Sequence, residues 1–204
     1  MERPILFSTP MVQAILNGRK TQTRRIVKPQ PESIDHAHHK IIPYNGSVEF
    51  LHNSLKCPYG KVGDVLWVRE TYTKLLPEHF ITSLYVYKAD CDLGGEEARQ
   101  DYIKAGYPYQ WKPSIFMPKE ACRIRLEITD IRVERLQDIS KEDAIAEGID
   151  VKMNGIHPNY RDYKYSDSWL SNPYWSYNTL WEKINGNGSW EKNPWVWAIT
   201  FEKI

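Results

Sequence analysis

The sequence predicts an α+β fold whose strands close, or nearly close, into a barrel, with a few short helices between them. Three observations carry this. Several segments alternate apolar and polar residues, the period of a strand with one buried face. Three others carry helix signals, with a capping residue or proline at the start and a glycine at the end. The two kinds of segment do not alternate regularly, which argues against a parallel βαβ array. At 204 residues the chain suits a single domain, residues 1–204, with insertions at about 28–60, 90–118 and 150–172.

Ile5-Leu6-Phe7 is a short first strand. Thr9-Pro10 reads as the N-cap and first position of a helix, with Val12, Ile15 and Leu16 as its buried stripe and Gly18 at its end. Residues 28–60 hold Pro29, Pro31, Pro43 and Pro58 with little periodicity, and read as a loop or a weakly structured insertion. Residues 63–70 are a turn followed by a strand, and 80–87 another strand. Residues 90–118 are polar and rich in Gly, Pro and Tyr. The stretch 122–136 alternates through Ile124, Leu126, Ile128, Ile131 and Val133, a long strand with a kink near Asp130. Ser140 opens a helix, with Asp143 at the fourth position of a capping box and Gly148 closing it. After the third insertion, Asn172-Pro173 opens a last helix striped by Tyr177, Leu180, Trp181 and Ile184 and ending near Gly186. Residues 195–201 alternate again and close the fold.

A formal net charge of +1 means that any nucleic-acid affinity comes from a local patch. Eight Trp and thirteen Tyr can build a core or stack on bases. Cys57, Cys91 and Cys122 are odd in number with no C-x-x-C pair, which fits reduced thiols in a cytoplasmic protein better than disulfides or a zinc knuckle. The first residues lack the basic-then-apolar layout of a signal peptide, and no apolar run approaches the ~18 residues of a membrane span. The expected location is the cytoplasm, with no membrane partner.

One interval departs from this neutral background. Between Glu2 and Glu32 there is no acidic residue, but there are Arg3, Arg19, Lys20, Arg24, Arg25 and Lys28. Such a loop either holds phosphate through charge-assisted hydrogen bonds or is an ordinary solvated cluster. Its spacing, Gly18-x-Lys20-x-x-x-x-Arg25, resembles the G-x-K-x-x-x-x-R signature of the ASCH domain, a β-barrel family related to the RNA-binding PUA domains. Residues 63–68, Gly-Asp-Val-Leu-Trp-Val, look like that family's G-D-x-L strand. The strand ending near Leu136, the helix from Ser140 to Gly148 and the closing aromatic strand extend the likeness to about half of the chain. The layout also resembles the longer ASCH proteins of phages and prophages.

Many ASCH proteins carry Glu two residues before the motif arginine; here that residue is Thr23. G-x-K-x-x-T-x-R is similar to the small bacterial ASCH amidohydrolases that deacetylate N4-acetylcytidine. The resemblance implies a catalytic Lys, Thr and downstream Glu, which map onto Lys20, Thr23 and Glu147. The last is placed on an Ala144-x-x-Glu147 pattern, with Glu142 and Asp143 in the same helix. Arg19, Arg24, Arg25 and Trp67 are the expected substrate contacts, and a nucleoside or RNA the expected partner. No cofactor and no metal are expected.

Amide hydrolysis needs a nucleophile, a base, a held oxyanion and a proton for the departing amine. A neutral Lys20 can take the Thr23 proton, but a lysine working near pH 7 must drop about three units from ~10.4, roughly 4 kcal/mol. Burial and the neighbouring arginines lower it. Glu147 and the negative end of the first helix raise it. Other features have plainer readings. His36, His38 and His39 form a short tract in a loop where a metal site competes with a solvated loop. Trp67 is a base-stacking candidate, and Arg69 and Glu70 are pairing or surface residues. The competing functions are an RNA-binding module without chemistry and a ribonuclease, of phage origin.

Overall fold

The computed structural model describes residues 1–35, 40–42, 49–50, 56–74, 85–91, 104 and 110–204. The chain opens with β1 (Glu2–Leu6), helix α1 (Thr9–Leu16) and β2 (Gln22–Ile26). Three short strands follow, β3 (Ser33–Asp35), β4 (Lys40–Ile42) and β5 (Glu49–Phe50), then β6 (Val65–Arg69), β7 (Tyr72–Lys74) and β8 (Tyr85–Tyr87). After the short helix α2 (Lys88–Cys91) come the long β9 (Arg125–Arg135) and α3 (Lys141–Ala146). The last elements are β10 (Val151–Asn154), β11 (His157–Arg161), β12 (Trp169–Leu170), α4 (Pro173–Asn185) and β13 (Trp195–Lys203). The fold is α+β, mostly sheet with a few short helices.

Local chemistry sets most boundaries. The cap of α1 is Ser8, one residue before the expected Thr9, so Pro10 falls in the first turn, where its missing N–H costs nothing. Ser140 accepts the Asp143 N–H and caps α3, and Asn172 accepts the Tyr174 N–H and caps α4. The kink expected near Asp130 is a bulge. Thr200 faces Asp130 but Phe201 faces Ile128, so Thr129 is the unpaired residue.

Five strands form the main sheet in the order β1-β6-β9-β13-β2, with β1 and β6 parallel and the other pairs antiparallel. On one face Ile5, Leu66, Val68, Leu126, Ile128, Trp197 and Ile199 pack with Val12 and Ile15 of α1. On the other, Val196 packs with Leu136, Ala144 of α3, and Tyr177 and Trp181 of α4. Two of the three segments read as insertions carry their own sheets: β3-β4-β5 within 28–60, where the sequence suggests loop or a weakly structured insertion, and β10-β11-β12 within 150–172. The lower half of the 80–87 strand, most of 90–118 and the histidine tract lie outside the described residues.

Of the expected closed or nearly closed barrel, the described residues show an open five-stranded sheet. Phe7 donates its N–H to Arg69 O, and Val65 to Met1 O, so odd residues of β1 turn their backbone toward β6 and even ones outward. Pro4, with no N–H to offer, stands at an outward position, as an edge strand allows. At the far edge Val27 donates to Trp195 O and Phe201 to Thr21 O, which turns the backbone of Gln22 and Arg24 away from β13. Among the described residues no ladder joins these two edges, so the sheet stays open there. One side chain crosses it: Arg25 Nη2 donates to Leu6 O at 2.7 Å. On the β2 side Lys20 Nζ donates to the edge carbonyl of Gln22 at 2.8 Å.

Candidate active site

Two chain reversals meet beside that seam. The first ends α1: Gly18 sits at φ +70°, and the N–H groups of Arg19 and Lys20 both donate to Ala14 O. The second ends α3, where Glu147 is the last residue in helical conformation and Gly148 follows at φ +84°. Lys20 and Glu147 form an isolated antiparallel bridge, and Thr21 donates its N–H to Ala146 O. Any Cβ on Gly148 would lie 2.7 Å from Lys20 Cβ and 3.1 Å from Ala14 Cβ. Only glycine lets the two reversals approach this closely.

The approach buries Lys20 and Glu147 together. The three N–H groups of Lys20 Nζ have three acceptors: Gln22 O at 2.8 Å, Glu147 O at 2.9 Å and Glu147 Oε2 at 2.8 Å. The Lys20 side chain is 1% exposed and that of Glu147 5%. Burial lowers the proton affinity of Lys20, Glu147 opposes it, and Arg25 and Arg24 lower it further; the net direction is down. The balance that the sequence left open thus falls to desolvation. Tyr177, from α4, donates its O–H to Glu147 Oε1 at 3.4 Å. Burial and that carboxylate hold its hydroxyl well above its ordinary value.

Arg24 occupies the other oxygen of Glu147. It lies on the same strand face as Gln22 and is fully buried. Its five N–H groups are all engaged. Nε and Nη2 reach Glu134 Oε1 at 3.0 and 2.6 Å, Nη2 also reaches Asp143 Oδ2 at 2.8 Å, and Nη1 reaches Gln22 Oε1 at 2.5 Å and Glu147 Oε1 at 3.3 Å. Burial pushes its proton affinity down, but Glu147 and Glu134 overcome that and hold it up. Arg24 therefore has no donor left for a substrate, contrary to the expected contact role. Arg19 is only partly committed: its Nη1 reaches Gly148 O, Ile149 O and Asp150 Oδ1, while Nε and Nη2 make no hydrogen bond among the described residues on a side chain that is 38% exposed.

The remaining sequence-selected residues fall differently. Thr23 is buried on the opposite face of β2 from Gln22 and Arg24, across from Ile199, and its hydroxyl makes no hydrogen bond among the described residues. Arg25 shares that face. Its guanidinium lies 5.3 Å from the Phe7 ring centre, while Lys20 Nζ lies 5.7 Å from the same ring. Arg25 Nε is buried with no hydrogen-bond partner. Trp67 is half-buried on the outer face of the sheet with Arg69 over its ring at 5.4 Å, away from the inward Leu66 and Val68. Glu70 is not a surface residue: it is buried and held bidentately by Arg123 at 2.9 and 3.0 Å.

Sequence reasoning missed Gln22, Glu134 and Tyr177 as members of the site. Tyr177 was legible only as part of the apolar stripe of α4, and nothing in the sequence marks Glu134. Among the described residues no cluster of three or more His, Cys, Asp or Glu is arranged to hold a metal ion, and no helix is long and apolar enough to cross a membrane. No family model, no curated protein and no solved structure matches the chain.

Proposed function

We propose that this chain is a cytoplasmic ASCH-type, PUA-like amidohydrolase that removes the acyl group from N4-acetylcytidine or a related acylated nucleoside. The observation that carries the reading is the buried Lys20–Glu147 contact. The Lys and Glu that the motif resemblance selects are 127 residues apart, yet they share a 2.8 Å hydrogen bond in a site where burial lowers the proton affinity of the lysine. A lowered proton affinity brings Lys20 toward the range in which a general base for Thr23 works.

In this reading Thr23 Oγ bonds to the acyl carbon and its proton passes to Lys20 Nζ. Arg25, with an Nε–H lacking an acceptor on the face of Thr23, holds the acyl oxygen as it gains charge. The C–N4 bond then breaks, and N4 leaves as the amine with the proton from Lys20. Water cleaves the threonyl ester to acetate and restores Thr23. A variant of the same scheme has Thr23 orient the attacking water directly. Glu147 orients Lys20 through two acceptors, its carbonyl and Oε2.

The test is cytidine release from N4-acetylcytidine, followed by chromatography. Wild type is expected to turn over, and Lys20→Ala and Thr23→Ala each to lose at least about 100-fold. Undiminished turnover in either variant overturns the mechanism. The second reading, an RNA-binding module, is favoured by the Trp67–Arg69 stack, partly exposed on the outer face of the sheet. Absent turnover with salt-sensitive RNA binding, weakened by Trp67→Ala, would select it.

A further inference from the structure

Lys20 is buried, and the acidic groups on the rim of the domain do not touch it directly. The groups around it are Glu147 of α3, Arg24 and Arg25 of β2, Tyr177 of α4 and the Phe7 ring. Arg25 is half-buried and ends on Leu6 O; among these groups Arg24 is the one that ion-pairs to further carboxylates. Its side chain is 0% exposed, yet it touches Glu134 of β9, which is 18% exposed, and Asp143 of α3, which is 23% exposed. Arg132 of β9, on the rim, holds Asp143 at 2.7 Å and lies 3.6 Å from Glu134. A continuous chain of ion pairs thus runs from solvent through Arg132, the two rim carboxylates and Arg24 to Glu147 and Lys20.

Glu147 is divided along this chain. Lys20 holds Oε2, while Arg24 and Tyr177 hold Oε1. Two cations therefore compete for one buried carboxylate, and how strongly Arg24 competes depends on how fully Glu134 and Asp143 neutralise it. The Arg24 side chain makes no hydrogen bond to the Thr23 hydroxyl or to β1. Its five engaged donors suit a fixed support.

We propose that Arg24 is a positioning residue: it holds Glu147 by the oxygen that Lys20 does not use, and so couples the protonation of Lys20 to the rim carboxylates Glu134 and Asp143. The catalytic meaning rests on the amidohydrolase reading; the coupling itself does not. The sign follows from the charges. Glu134→Gln leaves Arg24 less neutralised, draws Glu147 toward it and weakens the hold on protonated Lys20, which then titrates at lower pH. Arg132→Gln releases both rim carboxylates to Arg24, relaxes its pull on Glu147 and moves Lys20 to higher pH. Glu142→Gln removes the same charge from α3 at an exposed residue without a contact to Arg24, and serves as the control.

The experiment is an NMR titration of the Lys20 ζ-nitrogen in the substrate-free protein, with pH–rate profiles on N4-acetylcytidine beside it. Both altered residues sit on the rim, so the buried Arg24 stays in place. Relative to Glu142→Gln, Glu134→Gln is expected to lower the Lys20 midpoint by at least about half a unit and Arg132→Gln to raise it. The acid limb of the rate profile is expected to move with each. A merely structural role would change thermal stability without opposite titration shifts. Equal midpoints in Glu134→Gln and Glu142→Gln, or a rise in Glu134→Gln, overturn the proposal. Absent turnover by wild type would defeat the amidohydrolase reading alone, and the titration would still decide the coupling.

Discussion

Replacing Glu147 with alanine is expected to cost the fold about 3–5 kcal/mol, the largest effect of any single side chain in the site. The reason is what the carboxylate leaves behind. Lys20 and Arg24 are both buried, and both spend a donor on Glu147. Without it, two cations stand in a desolvated interior with one of their counter-charges gone. Lys20→Met should cost less. Methionine fills similar space without charge, and Glu147 keeps Arg24 and Tyr177 as partners. Urea unfolding read as the product of midpoint and slope distinguishes the two. A loss below about 1 kcal/mol for Glu147→Ala would mean that the pair is hydrated in solution and that burial does not depress Lys20. The same variants separate stability from chemistry, because Lys20→Met is expected to fold while losing turnover.

The contrast between Lys20 and Arg24 shows what the sequence could and could not convey. Both lie in an interval without acidic residues, so both look like free cations aimed at an anion. Strand period and helix caps are local, and they placed β6, β9, α3, α4 and β13 to within a few residues. Charge compensation is not local. The partners of Arg24 are Glu134, Asp143 and Glu147, separated from it by 110, 119 and 123 residues. Lys20 and Arg24, read in the sequence as part of a basic loop, are members of a neutralised ion network in the fold. Lys20 and Glu147 were nevertheless legible as a pair, because the family resemblance named one by the motif spacing and the other by the Ala144-x-x-Glu147 pattern. Openness at the seam was not legible. Pro4 marks β1 as an edge, but only the hydrogen bonds of Phe7, Val27 and Phe201 show that β2 is the opposite edge and that the two do not join.

Gly148→Ala is expected to be the other severe substitution, at about 3 kcal/mol or more, and Gly18→Ala supplies its internal measure. Both glycines occupy positive φ, at +84° and +70°, where a Cβ adds about 1–2 kcal/mol of backbone strain. They differ in surroundings. A Cβ on Gly18 meets nothing within 4 Å, so Gly18→Ala should cost little beyond that strain. A Cβ on Gly148 meets Lys20 Cβ at 2.7 Å, Ala14 Cβ at 3.1 Å and Lys20 Cα at 3.3 Å. None of these is the free end of a flexible side chain. The helix α1 and the backbone of Lys20 must move, and overpacking of that kind adds about 1–3 kcal/mol. Movement there also pulls Lys20 Nζ from Glu147, so turnover should fall more steeply than stability in Gly148→Ala and barely change in Gly18→Ala. Chemical denaturation and deacetylation rates on the two variants check this. Equal costs at the two glycines would show that the reversals ending α1 and α3 stand farther apart in solution, and that the Lys20–Glu147 contact does not depend on their close approach.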